Sequence, residues 1–143
     1  MTQLVFVYGT LKRGYWNNGL LSRAKFLAEG TTVPDTFSMY DGGFPYVTKD
    51  GICRIRGEVW EVTDALTMEN LDRLEGVPHH YVRKEVEIEL DDDETEPTFD
   101  GIKRRADAYM YIASAHTQRS LENNSGRYKI SPDVSNIVEW EKR

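Results

Sequence analysis

The ten residues Val5-Phe6-Val7-Tyr8-Gly9-Thr10-Leu11-Lys12-Arg13-Gly14 decide how this chain folds, because a short apolar run stops there at a glycine. The run over residues 4–8 is too short for a typical helix and rich in valine and aromatic residues, so we interpret it as a central strand buried on both faces. Because Gly9 can adopt a positive φ, the following loop can turn sharply and present successive N–H groups to a carboxylate or an oxyanion. An ordinary turn bracketed by Gly9 and Gly14 is the alternative interpretation.

Composition limits the classes of function that the chain can serve. The 143 residues are 39% hydrophobic, with three Trp, eight Tyr and five Phe, which predicts one domain over residues 1–143. A net charge of −6 disfavours nucleic acid and anionic membranes as partners, so we expect a small polar substrate. We also expect a monomer or weak homodimer. Cys53 is the only cysteine, which excludes an intrachain disulfide and favours the cytoplasm. We find no signal-peptide pattern and no apolar run long enough to span a membrane.

The order of elements predicts an α+β fold, a small mixed-sheet β-barrel with one or two packed helices. Asp64 is the expected N-cap of a helix over residues 65–74 that Gly76 ends. A half-solvated strand over 82–90 alternates apolar and charged residues, and the acidic stretch 91–97 is its hairpin tip. Ser131 and Pro132 predict the start of a short terminal helix. The other strands are predicted at residues 25–33, 36–40, 45–48, 55–62 and 105–112.

Glu75 is the candidate acid/base residue. It follows Leu71 by four residues and adjoins Leu74, so on a helix its carboxylate lies beside the apolar stripe. Partial desolvation and the negative end of the helix dipole would both raise its pKa towards the range useful for proton transfer. The alternative is a surface glutamate that happens to precede a glycine C-cap.

Other candidate chemistry has less support. His79 and His80 are adjacent, so on an extended segment their side chains point apart and do not readily share a metal. Neither a Gly-x-Ser-x-Gly motif nor an EF-hand loop is present, and no motif surrounds Cys53. We therefore predict no metal and no cofactor. Tyr109 and Tyr111 are interpreted as core or pocket wall.

Three motifs together resemble the γ-glutamylcyclotransferase-like proteins. The opening Tyr-Gly-Thr-Leu-Lys-x-Gly pattern, with Asn17 after it, looks most like the γ-glutamylamine cyclotransferase branch. The segment 56–62 is similar to the family's Gly-Glu-aromatic strand, and Leu71-Asp72-x-x-Glu75-Gly76 with Tyr81 and Arg83 resembles its catalytic segment. The resemblance covers about residues 4–112, with residues 113–143 as a C-terminal extension. The chain departs from the family at Tyr15-Trp16-Asn17-Asn18 and in the acidic stretch 91–100.

The resemblance implies a metal-independent enzyme that cleaves a γ-glutamyl amide. Attack of the α-amine on the γ-carbonyl would give 5-oxoproline and a free amine, with Glu75 as the single acid/base. The implied substrate-binding residues are Tyr8, Gly9, Thr10, Leu11 and Tyr81.

Two other classes of function are compatible with the sequence. One is a non-catalytic small-molecule-binding or regulatory domain of the same fold, because fold does not imply function. The other is an interaction module that binds a basic partner through the acidic hairpin. The sequence does not identify the released amine.

Overall fold

The structure is a computed structural model that describes residues 2–42, 45–91, 104–122 and 128–141. Within these ranges the chain forms eight strands, two α-helices and a 3₁₀ helix at Asn18–Leu21. The strands are β1 (Gln3–Val7), β2 (Lys25–Thr32), β3 (Phe37–Asp41), β4 (Pro45–Val62), β5 (Tyr81–Leu90), β6 (Arg105–Ala113), β7 (Tyr128–Lys129) and β8 (Ile137–Val138); the helices are α1 (Ala65–Leu74) and α2 (Ala115–Glu122).

Five strands pair in a closed ring, in the order β1, β6, β5, β2, β4 and back to β1. The β1–β6 pair is parallel and the other four pairs are antiparallel. The predicted α+β class with a mixed sheet is therefore confirmed. The sheet is a ring of paired strands and not the true barrel that we predicted, because β4 continues beyond the ring to pair with β3.

Strand β4 corrects the prediction of two separate strands at 45–48 and 55–62. It is continuous over 18 residues, with its first part paired to β3 and its last part to β1 and β2. Gly51, in the interval between the two predicted strands, lies inside it. A Cβ atom on Gly51 would lie 2.1 Å from the carbonyl oxygen of Phe37, so the missing side chain allows β3 to approach this closely.

The central position predicted for β1 is confirmed. Val5 and Phe6 are fully buried, and alternate side chains of the strand join two different apolar clusters. Phe6 packs in the cluster that contains Ile88 and Met110, whereas Val5 packs in the one that contains Leu71 of α1. Packing on both faces holds the end of β1, where the loop begins, in a fixed position.

Helix α1 has the bounds that its sequence predicts. The Asp64 carboxylate accepts a hydrogen bond of 2.9 Å from the Thr67 N–H, as an N-cap residue does. At the other end Glu75 is the C-cap residue and Gly76 has a φ of +62°.

Two features of the C-terminal part were not predicted. Helix α2 begins after Ser114, whose hydroxyl oxygen accepts the Thr117 N–H at 3.2 Å. Instead of the helix expected at 131–132, the chain turns and forms β8, which pairs in parallel with β4. Strands β5 and β6 form the predicted hairpin, and most of its acidic tip lies outside the described residues. Neither described helix has the length and apolar character needed to cross a bilayer.

Candidate active site

A cavity of about 260 Å³ opens at the carboxyl end of β1. It lies between the loop that follows this strand and the last turn of α1. This volume is below the roughly 300–1,000 Å³ of pockets for drug-sized ligands, so it suits a group the size of one amino acid. The described lining residues are Phe6, Val7, Tyr8, Gly9, Thr10, Leu11, Trp16, Asn17, Pro45, Leu74, Glu75, Tyr81 and Tyr111.

The cavity has a buried floor and an exposed mouth. Tyr8, Tyr81 and Tyr111 are each less than 10% exposed and form part of the floor. Trp16 and Leu74 are 58% and 42% exposed and mark the mouth. Every residue that the sequence predicted for the site lines this cavity.

Gly9 serves a different purpose from the one that we predicted. The positive φ angles among the described glycines belong to Gly14 and Gly76, so the turn at Gly9 does not use the left-handed region. A Cβ atom on Gly9 would instead lie 2.6 Å from Cγ of Pro45. Gly9 is suited to this position because it allows Pro45, on β4, to pack against the loop.

Hydrogen bonds from two asparagines hold the loop in place. The Asn17 N–H donates to the Thr10 carbonyl oxygen and its side-chain amide to Thr10 Oγ1, both at 2.9 Å. The Asn18 amide donates to the Leu11 carbonyl oxygen at 2.8 Å. Since Thr10 Oγ1 accepts from Asn17, its own proton stays available to a ligand. Among the described residues, none accepts a hydrogen bond from the backbone N–H groups of Gly9, Thr10 and Leu11.

The Glu75 side chain is a partly buried carboxyl group at the end of α1. Burial raises its pKa to about 7, which agrees with the direction predicted from its place on the helix. Within the described part of the chain, the carboxylate has neither a hydrogen-bond donor nor an ion-pair partner. It can therefore exchange protons with a ligand near neutral pH.

Three tyrosine hydroxyl groups donate their protons to the protein. Tyr8 Oη donates to the Tyr111 carbonyl oxygen at 2.6 Å, and Tyr81 Oη to the Pro45 carbonyl oxygen at 3.2 Å. Tyr111 Oη donates to Asp72 Oδ1 at 2.7 Å. Burial, and secondly the charge of Glu75, raise the pKa of Tyr8 well above its ordinary value. Burial raises the pKa of Tyr111, and the hydrogen bond to Asp72 raises it by a smaller amount.

The polarity of the lining is therefore divided between elements. The loop after β1 supplies N–H donors, and the end of α1 and the tyrosines supply oxygen acceptors. A carboxylate fits the donors and an ammonium group fits the acceptors. Such a lining suits the zwitterionic head of an amino acid.

Several lining residues were not identified as site residues from the sequence. Asn17 was quoted within the family motif without a role, and Tyr111 was interpreted only as core or pocket wall. Pro45 had no local signal, because only the pairing of β4 brings it to Gly9. Among the described residues, no three His, Cys, Asp or Glu side chains are grouped as metal ligands.

Residues 5–130 match the family model described as Gamma-glutamyl cyclotransferase, AIG2-like. The chain belongs to this family. A provisionally named gamma-glutamylcyclotransferase of Methanocaldococcus jannaschii is 44% identical over 91 residues, which are 62% of this chain and 74% of the relative. One from Vibrio cholerae, also provisionally named, is 40% identical over 88 residues, or 61% and 74% of the two chains.

A solved structure is similar in fold to almost the whole of this Gamma-glutamyl cyclotransferase family chain. The mouse AIG2-like protein has a TM-score of 0.68 at 22% identity and covers 99% of this chain and 97% of its own. At this identity the likeness concerns the fold. The family resemblance identified from the three sequence motifs is thus confirmed.

Proposed function

We propose that this protein is a cyclotransferase that releases 5-oxoproline and a free amine from a γ-glutamyl amide. Membership of the Gamma-glutamyl cyclotransferase, AIG2-like family supports the reaction class. The observation that carries the proposal is the unpartnered Glu75 carboxyl group, whose pKa is raised to about 7 in a cavity that the Gly9–Leu11 loop also lines.

Glu75 serves as the single acid/base in this reaction. Its carboxylate removes a proton from the substrate α-ammonium group, and the freed nitrogen lone pair attacks the γ-carbonyl carbon. A ring C–N bond forms, Glu75 returns the proton to the departing nitrogen, and the original amide C–N bond breaks. The second proton of the attacking nitrogen also passes through Glu75 to the released amine, which leaves as an ammonium ion. The step consumes no water and needs no oxidant or reductant.

The loop and the tyrosines hold the reacting molecule folded. The N–H groups of Gly9, Thr10 and Leu11 bind the α-carboxylate, and Tyr8 and Tyr81 shape the floor around the glutamyl chain. Nucleophile and electrophile belong to one molecule, so orientation alone can supply up to about 7–11 kcal/mol of the barrier reduction.

We further propose that the departing group is an amine without a carboxylate. Glu75 is the only charged side chain among the described lining residues, so no described Lys or Arg of the cavity would pair with a second carboxylate. A γ-glutamyl dipeptide or glutathione would bring that carboxylate against the apolar mouth with no cation to pair with it, which weakens binding.

The test is 5-oxoproline release from the purified protein with γ-glutamyl amines, γ-glutamyl dipeptides and glutathione, without added metal. We expect release from the amines first. Glu75→Gln should lower kcat by about 10²- to 10⁴-fold, the usual contribution of a general acid/base.

Glu69→Gln is the matched control, because Glu69 lies on the same helix with its side chain exposed. This control should retain wild-type turnover. Equal release by Glu75→Gln and wild type would remove Glu75 from the mechanism. Tight binding of γ-glutamyl amines without turnover would instead identify a non-catalytic binding protein.

A further inference from the structure

The mouth of the cavity is lined by apolar side chains from two elements. Trp16 lies in the loop after β1, Leu74 ends α1, and both are exposed, whereas most of the cavity floor is buried. A single exposed apolar residue is ordinary on a protein surface. Two of them at one opening, on different elements, create an apolar contact surface.

Trp16 is held in a defined position. Its neighbours in the chain are fixed by hydrogen bonds, from the Tyr15 N–H to the Lys12 carbonyl oxygen at 3.1 Å and from the Asn17 N–H to the Thr10 carbonyl oxygen at 2.9 Å. Its indole meets that of Trp140 edge to face, with ring centroids 5.8 Å apart and planes at 77°.

Trp140 is itself anchored to the same loop. Its side chain is buried, and its carbonyl oxygen accepts a hydrogen bond of 2.7 Å from Lys12 Nζ. Its ring lies 5.4 Å from that of Tyr15. The C-terminal segment therefore supports Trp16 from beneath and leaves the exposed part of the indole at the cavity mouth.

We propose that Trp16 and Leu74 form a subsite for an apolar chain on the departing amine, with Trp16 as the main specificity-determining residue. The proposal rests on the proposed function, because a glutamyl head bound at the buried floor directs its γ-substituent to the mouth. Each methylene that moves from water onto this apolar surface strengthens binding by up to about fourfold.

The test is a series of γ-glutamyl n-alkylamides, from methyl to hexyl, assayed by 5-oxoproline release with the full chain. For the wild type, kcat/KM should rise with chain length. In Trp16→Ala this rise should flatten, so that the hexylamide loses about tenfold more kcat/KM than the methylamide, or about 1.4 kcal/mol. Ile52→Ala, which removes an exposed apolar side chain outside the cavity lining, should keep the wild-type dependence.

A binding measurement separates failure of this inference from failure of the proposed function. The same amides are titrated calorimetrically into Glu75→Gln and into Glu75→Gln with Trp16→Ala. If the wild type releases no 5-oxoproline from any amide, the proposed function fails, yet a chain-length dependence of Kd that Trp16→Ala flattens still supports the subsite. An affinity or kcat/KM that does not depend on chain length, or a dependence that survives Trp16→Ala, overturns the subsite.

Discussion

At the scale of single residues, burial of Glu75 raises its pKa and lowers the stability of the folded protein at neutral and alkaline pH. Its folded-state pKa is about 7 against an ordinary value of 4.5, so the folded protein binds the Glu75 proton more tightly than the unfolded chain does. Folding is therefore favoured most below the unfolded pKa, and stability declines as the pH rises from about 4.5 to about 7. Above the folded-state pKa, the folded protein bears the full free-energy cost of burying the charged carboxylate.

We predict that Glu75→Gln stabilises the protein at alkaline pH. Glutamine carries no charge to desolvate, so at pH 8 the variant should exceed the wild type by up to about 3 kcal/mol in free energy of unfolding. Near pH 4 the difference should largely vanish. Urea denaturation at both pH values measures this, and a difference that does not depend on pH would show that burial does not control this carboxyl group.

Gly9 shows a second kind of residue-scale constraint, which is close packing without backbone strain. We predict that Gly9→Ala destabilises the protein by about 1–3 kcal/mol, since the new methyl group must displace the Pro45 ring or the loop. KM for γ-glutamyl amines should rise about 10- to 100-fold as the loop N–H groups move.

Gly19→Ala is the matched control for Gly9→Ala, because a Cβ atom there meets no atom within 4 Å and its φ is not positive. It should change neither stability nor KM appreciably. Wild-type kinetics for Gly9→Ala would mean that the loop tolerates the displacement and does not position the substrate.

At the scale of elements, the last turn of α1 links Glu75 to the wall of the cavity. Asp72, one turn before Glu75, accepts the Tyr111 hydroxyl proton, and the Arg83 guanidinium contacts the same carboxylate at 3.2 Å. Helix α1 and strands β5 and β6 are thus joined at the cavity. Asp72 is therefore a positioning residue for Tyr111.

We predict that Asp72→Asn and Tyr111→Phe are energetically coupled. Each single substitution should cost about 1–3 kcal/mol of stability, and the double variant should cost less than their sum by about 0.5–3 kcal/mol. Chemical denaturation of the four proteins measures this coupling. Asp72→Asn should change kcat/KM when it is made in the wild-type protein. It should not change kcat/KM further when it is made in the Tyr111→Phe variant.

The exposed ion pair of Glu87 and Arg105, on the β5–β6 hairpin, is a comparison for the partly buried hydrogen bond between Asp72 and Tyr111. Glu87→Gln should change stability by less than about 1 kcal/mol, as is usual for surface ion pairs. Strict additivity of the Asp72 and Tyr111 substitutions would mean that their hydrogen bond contributes nothing measurable.

At the scale of the whole molecule, the end of the chain stabilises the loop near its beginning. Lys12 and Trp140 are 128 residues apart in sequence, and their hydrogen bond joins the loop after β1 to the segment after β8. Strand β8 fixes this segment by pairing with Arg54 and Ile55 of β4. The C-terminal extension is therefore part of the packing around the site.

We predict that Trp140→Ala lowers stability by about 3–5 kcal/mol through the cavity it leaves among buried side chains. It should also raise KM for long-chain γ-glutamyl amides, because Trp16 loses its support. Val134→Ala, at a fully exposed side chain nearby in sequence, should shift stability by less than about 0.5 kcal/mol. Thermal and urea unfolding measure both, and equal stability of the two variants would contradict the anchoring role of Trp140.

Local patterns determined the parts of this protein that depend on a few neighbouring residues. The N-cap at Asp64, the helix end at Gly76, the buried strand β1 and the β5–β6 hairpin follow from capping, glycine conformation and hydrophobic periodicity, all of which are local features of the sequence. The family motifs indicated the family, and the helix pattern made Glu75 a candidate acid/base residue.

Only the tertiary structure decided which distant segments meet at the cavity. Pro45 reaches Gly9 because β4 is continuous where the sequence predicted two separate strands, and Trp140 reaches Trp16 because β8 pairs with β4. These contacts depend on strand pairing between segments far apart in the chain, for which no local propensity or periodicity carries a signal. Sequence therefore determined the chemical groups, and long-range packing determined their surroundings.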